Sequence, residues 1–253
     1  TFPIQQSFRG AGEPRSVRPA QIMDTLDQYR AQYRDMSGMA SSYFLCLNCG
    51  IVDQDENRSV PGHACSMCGV SPCGCRVFFR LGVSIIIQLI ETSYFRWPEQ
   101  STYDELSRQR REDLRNSATL IFFCSLKELL LETFTEDMME ALRLKPEEQT
   151  SLREQYSTHS KRLQYLMPAM TGKSWHDALS SLPLERREQH SNLDGFLEHA
   201  TRKRNDLLHD VNLLAFDEDI ATSCFRAIPM ILELYVDLQN QFVHPVIAAG
   251  RNA

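Results

Sequence analysis

Apolar positions fall at helical spacing along most of this chain. Ile22, Leu26, Tyr29, Tyr33 and Met36 recur at steps of four and three, which places them on one stripe of a helix beginning near Gln21. The stripe lasts barely two heptads, so packing onto the protein body is expected rather than a coiled coil. Residues 77–95 read as an apolar helix stopped near Trp97 by Pro98. Ser101 or Thr102 can cap the next helix, whose first turn carries Asp104 and Glu105, acids well placed for the helix dipole. That helix becomes apolar nearly all round through Leu120, Ile121, Phe122, Phe123, Leu126, Leu129, Leu130 and Leu131, the pattern of a central bundle element. Thr135 before Glu136 and Asp137 reads as the start of a short helix. Pro146 with two following glutamates reads as the start of another, running to about Met167. Two long helices, about 184–213 and 217–243, close the chain as antiparallel neighbours, and Pro245 marks the end of the second. The fold class expected is mainly α, a helical bundle.

Two regions break the helical pattern. Residues 1–20 hold Pro3, Pro14 and Pro19 with Gly10 and Gly12, and form an irregular arm. Residues 41–80 carry two Cys-x2-Cys-Gly turns, Cys46 to Gly50 and Cys65 to Gly69, with residues 50–64 between the cysteine pairs. Each turn aims two thiolates at one centre, and two such turns complete a tetrahedral zinc site at about 2.3 Å per sulfur. Cys46, Cys49, Cys65 and Cys68 are therefore the expected ligands of a structural Zn. Four protein ligands leave no open position for a substrate, which argues against a zinc-dependent hydrolase. His63, Cys73 and Cys75 stand close enough to replace one of the four. The expected organisation is an arm and helix over 1–40, a small N-terminal four-cysteine zinc ribbon over 41–80 and a helical domain over 81–253.

Composition narrows the function. The chain has 253 residues, 42% hydrophobic and 24% charged, and a net charge of -6. Such a charge disfavours a protein that coats nucleic acid by bulk electrostatics, so any RNA contact must be local. Basic residues cluster at Arg108, Arg110 and Arg111, and at Arg202, Lys203 and Arg204; the first cluster, adjoining Glu112 and Asp113, reads as a solvated helix face. No apolar run approaches the roughly 20 residues that span a bilayer, and no signal peptide is visible, so a soluble cytoplasmic protein without a membrane partner is expected. Gly172-Lys173-Ser174 resembles the tail of a P-loop, but Met167 stands where glycine is required and no strand precedes it. Ser174 is read instead as the cap of the helix SWHDALSSL. Cys124 and Cys224 lie in apolar runs and read as small buried hydrophobes.

The chemistry-bearing stretch is 196–209, FLEHATRKRNDLLH. At about 100° per residue, Leu193, Phe196, Leu197, Ala200, Leu207, Leu208, Val211 and Leu214 share the core face, while Arg202, Asn205 and His209 lie opposite. Arg204 projects into the apolar stripe, where an unpaired charge is costly. Either the helix deforms there, or Arg204 lies at a subunit boundary and meets an anion; read alone, it forms a buried ion pair with a glutamate of another helix. Read alone, His209 is a surface histidine favourable to the dipole near a helix end.

Arg204, Asn205 and His209 in this helical setting resemble the motif of the HEPN superfamily (higher eukaryotes and prokaryotes nucleotide-binding), over roughly residues 100–245. The resemblance implies a metal-independent endoribonuclease acting on RNA as a homodimer, with paired Arg and His residues forming one composite cleft. It implies Arg204 on the scissile phosphate, His209 as general base or acid, and Asn205 orienting the imidazole or the RNA, with Arg202 and Lys203 as reserve RNA contacts. Many such enzymes are toxins or antiviral defence effectors, sometimes restrained by a regulatory protein partner. Inactive members of the superfamily keep open a second class: a zinc-ribbon and helical-bundle module that binds RNA, nucleotide or protein without turnover.

Overall fold

The computed structural model describes residues 36–54, 64–71, 74–95, 105–210 and 218–250. Apart from Met36, the predicted helix of 21–36 lies outside them, as do His63, Cys73, Val211, Leu214 and the side chains of Arg108, Arg110 and Arg111.

The chain enters through α1 (Met36–Ser41), followed by three short strands, β1 (Tyr43–Cys46), β2 (Val52–Gln54) and β3 (Cys75–Val77). They form one antiparallel sheet in the order β2-β1-β3. Phe44 pairs with Asp53 on one side and with Val77 on the other. Val77 therefore ends a strand, and the helix expected from 77 starts at Leu81 as α2 (Leu81–Phe95). The apolar run conceals this boundary because apolar residues continue on both sides of Arg80, the one polar residue between strand and helix. Arg80, at the junction, is held by Glu136 and Asp137.

α3 (Glu105–Ala141) is the axis of the bundle, about 55 Å long at 1.5 Å per residue. It packs against α2 and against the two last long helices, α8 (Leu184–Asp210) and α9 (Glu218–Leu238). Leu120, Phe123, Leu126, Leu130 and Leu131 are fully or almost fully buried. The break expected at Thr135 is absent. Thr135 is buried and donates its hydroxyl to the Glu132 carbonyl oxygen at 2.9 Å, while Phe134, Met138 and Met139 prolong the apolar stripe. Burial of that stripe outweighs the capping tendency of one threonine.

The helix expected over 146–167 is divided. α4 (Pro146–Gln155) ends at Tyr156, Thr158 caps α5 (His159–Lys161), and a π-helical turn (Arg162–Leu166) leads into α6 (Met167–Thr171). A second π-helical turn, Gln239–Val243, follows α9 and leads into α10 (His244–Ala249). Each π turn is followed by an X-Pro pair, Met167-Pro168 and His244-Pro245. Proline at the start of the following segment needs no donor there, so helix continues past Pro245, where an end was expected. Gly172, at φ 71, closes α6, and Ser174 caps α7 (Trp175–Ser180), accepting from the Asp177 amide as expected.

Every core position predicted on α9 is buried: Ile220, Phe225, Ile228, Ile231, Leu232, Leu234, Tyr235 and Leu238. On α8, Leu193, Leu197, Ala200 and Leu207 are buried, but Leu208, expected on the core face, is 58% exposed. Leu207 takes the inward position there, and its neighbour is turned about 100° away. Between α8 and α9 a polar contact is shut inside the fold. His190 Nε2 meets Asp237 Oδ2 at 2.8 Å, and Arg186 donates to the same carboxylate at 3.2 Å. No described helix is long and apolar enough to cross a membrane.

Candidate functional site

The two cysteine turns share one backbone hydrogen-bond pattern. The Gly50 amide donates to Cys46 O at 2.8 Å and the Gly69 amide to Cys65 O at 2.9 Å, while the Cys46 and Cys65 amides bond Ile51 O and Val70 O. Gly50 and Gly69 sit at φ 79 and 67, the left-handed conformation that the tight turn requires. The sulfur atoms of Cys46, Cys49, Cys65 and Cys68 all lie within 4.8 Å of one another. The Cys49 and Cys65 sulfurs are 3.8 Å apart, matching the separation of about 3.8 Å between ligands around a tetrahedral ion with 2.3 Å bonds. These four cysteines can hold a metal ion, as expected. Cys75 lies on β3 opposite Cys46 and outside this cluster.

Their electrostatics differ across the site. Burial pushes the Cys49 thiol up to about 12. Cys68, at the rim, is held down to about 6, chiefly because Asn48 Nδ2 donates to its sulfur at 3.3 Å. Four thiolates crowded this closely repel one another, and a divalent cation at their centre would offset that repulsion.

The cysteine turns are seated on the C-terminal helices. The Asn240 side chain accepts from the Val52 amide at 2.7 Å and donates to Val52 O at 2.8 Å. His244 Nδ1 donates to Cys49 O at 2.6 Å. A Cβ on Gly50 would stand 2.6 Å from Ile247 Cδ1, so α10 lies directly against the first turn.

The motif residues of α8 form a second group. Arg204 is a quarter or less exposed and donates to Glu128 Oε1 of α3 at 2.7 Å. It also donates to Asn205 Oδ1 at 3.3 and 3.2 Å. The glutamate partner from another helix, expected when Arg204 is read alone, is thus present. Asn205, Arg202 and His209 are exposed on α8. Arg204 and Asn205 are brought together, whereas His209, five residues on, is rotated by about 140° and displaced by about 7.5 Å along the axis.

Neighbouring residues that sequence reasoning misses complete this region. Lys127 of α3, 8% exposed, donates to Thr201 Oγ1 of α8 at 2.6 Å. Arg162 donates to Glu132 of α3 at 3.3 Å. The Nε2 atom of His159 is buried with no hydrogen-bond partner among the described residues. Burial, reinforced by the positive charges of Lys127, Arg162 and Arg204, depresses this imidazole to about 3. Lys127 is likewise lowered, first by burial. A signal for Lys127 exists in the sequence: it falls one turn from both Phe123 and Leu131, inside the apolar stripe. Cys124 and Cys224 are buried as expected, and burial pushes the Cys124 thiol up to about 11.

No protein-family model, curated protein or solved structure matches this chain.

Proposed function

We propose that the protein is a metal-independent endoribonuclease of HEPN type, acting as a homodimer, with a structural zinc in the Cys46, Cys49, Cys65 and Cys68 centre. The observation that carries the reading is the presentation of α8: Asn205 and His209 face solvent, and Arg204 is drawn toward the surface by Glu128 instead of being sealed in the core. In one protomer Arg204 and His209 point apart, so the reaction uses the guanidinium of one subunit with the imidazole of the other. Arg204 binds the scissile phosphate and offsets its developing charge. His209 accepts the 2′-OH proton as that oxygen attacks phosphorus, or donates a proton to the departing 5′-oxygen. The products are a 2′,3′-cyclic phosphate and a 5′-hydroxyl, and DNA is left uncut. The zinc supplies folding energy to the cysteine turns and takes no part in this step.

Labelled single-stranded RNA incubated with the zinc-loaded protein in magnesium-free buffer, with no chelator to strip the zinc, tests the reading. Wild type is expected to cut, and His209→Ala and Arg204→Ala to lose cleavage by about 10²–10⁴-fold while remaining folded and dimeric. Cleavage at the wild-type rate in either variant removes the assignment. A second reading, a module that binds RNA, nucleotide or protein without turnover, is favoured by the Glu128 contact, which already occupies one arm of Arg204. In that case the RNA shifts in mobility and stays whole.

A further inference from the structure

The seam between α3, α8 and the α5 to α6 segment holds more hydrogen-bond donors than acceptors. A lysine ammonium offers three N–H groups, and that of Lys127, almost wholly buried, has the neutral Thr201 hydroxyl as its hydrogen-bond partner among the described residues. Among those residues no carboxylate forms an ion pair with it. The imidazole Nε2 of His159 is also buried and unpartnered there. Arg162 and Arg204 flank these groups, each held at one point by a glutamate side chain that is 42% and 41% exposed. Single-contact pairs of that kind exchange readily with a stronger acceptor. An under-coordinated buried ammonium, a silent imidazole nitrogen and two guanidiniums with N–H groups to spare have one chemical complement, a compact oxyanion with several acceptor atoms.

We propose that Lys127, His159, Arg162 and Arg204 form a phosphate-binding site at this seam. The phosphate oxygens accept from the Lys127 ammonium, from His159 Nε2–H and from the guanidinium arms, while Glu128 and Glu132 turn to solvent. The charges of Lys127, Arg162 and Arg204, which bear on His159, are then offset. The site shares Arg204 with the nuclease cleft but is defined by Lys127 and His159, and binding requires no turnover.

The test is titration of the full chain, zinc-loaded, with inorganic phosphate, AMP or a single-stranded oligoribonucleotide lacking terminal phosphates. It is followed by calorimetry and by the His159 imidazole resonances, assigned through His159→Gln. Binding of at least one probe, with a shift at His159 and affinity weakened by about tenfold or more in Lys127→Met, is the expected result. Phosphate and AMP acting alone identify a monoester ligand; the oligonucleotide acting alone identifies an RNA backbone. Glu128→Gln, which releases an arm of Arg204, should bind more tightly than wild type. If no probe binds, or if each binds Lys127→Met as tightly as wild type with His159 unmoved, the site does not exist. RNA cleavage without phosphate binding here overturns this inference alone, and phosphate binding without cleavage overturns the nuclease alone.

Discussion

The cysteine centre and the basic seam solve opposite electrostatic problems. At the centre, four sulfurs of potentially negative charge converge on one point, the turn glycine amides are bonded, and the ligand count is closed. At the seam, cations gather around a neutral imidazole, and two of these groups, Lys127 and His159, have donors to spare. A closed set of thiolates fits a metal ion. An incomplete set of donors fits the proposed anion. On these proposals the first site would hold the fold together and the second would carry the function.

The largest effect should come from opening the closed set. Cys65→Ser removes one ligand, and structural zinc sites contribute on the order of 10–16 kcal/mol of apparent binding energy. The variant is expected to lose stoichiometric zinc by metal analysis. It should also lose hydrogen-exchange protection in β1, β2 and α10, because Asn240, His244 and Ile247 rest on those turns. Protection retained in α10 would show that the C-terminal helices stand without the metal centre.

A smaller effect is expected at the seam, from acid. The folded His159 imidazole sits near 3 against an ordinary value of 6.5, so below about pH 6.5 the unfolded chain binds a proton that the folded chain refuses. Stability contributed by keeping His159 neutral is therefore present above pH 6.5 and lost progressively toward pH 3. Asp137 acts in the reverse sense: burial raises it to about 6, so its protonation favours the fold as pH drops below that value. The difference between wild type and His159→Gln isolates the imidazole. Denaturant unfolding from pH 7 to 4 should show wild type losing roughly 2–3 kcal/mol more than the variant. Equal slopes would mean that His159 is solvated.

The smallest expected effect sharpens the contact between the centre and the helices. Gly50→Ala meets both a left-handed backbone and Ile247, and should cost about 1–3 kcal/mol. Shortening Ile247 to alanine in the same chain should recover the steric part of that loss while leaving the backbone strain. Additive losses from the two substitutions in thermal melts would show that the methyl group never reaches Ile247.

These contrasts follow what is legible in the sequence. The cysteine centre can be read because its geometry is local: spacing and glycine specify each turn, and duplication specifies the set. The core of α9 can be read from periodicity, and the isolated charge of Arg204 from its place on an apolar stripe. The partner Glu128 cannot, since which helix lies against α8 depends on packing. Lys127, His159, Thr201 and Arg162 come from three separated segments, and none forms a motif alone. The helix start at Leu81 and the continuity of α3 through Thr135 escape sequence reading for a related reason: hydrophobic pairing and burial override the local signals of a strand end or a cap.

Asn240 has a consequence for the molecule's behaviour in company. By matching both main-chain groups of Val52, its carboxamide acts as one residue of an extra strand laid along β2. Those two main-chain groups at the rim of the sheet are therefore not free to pair with an extended peptide.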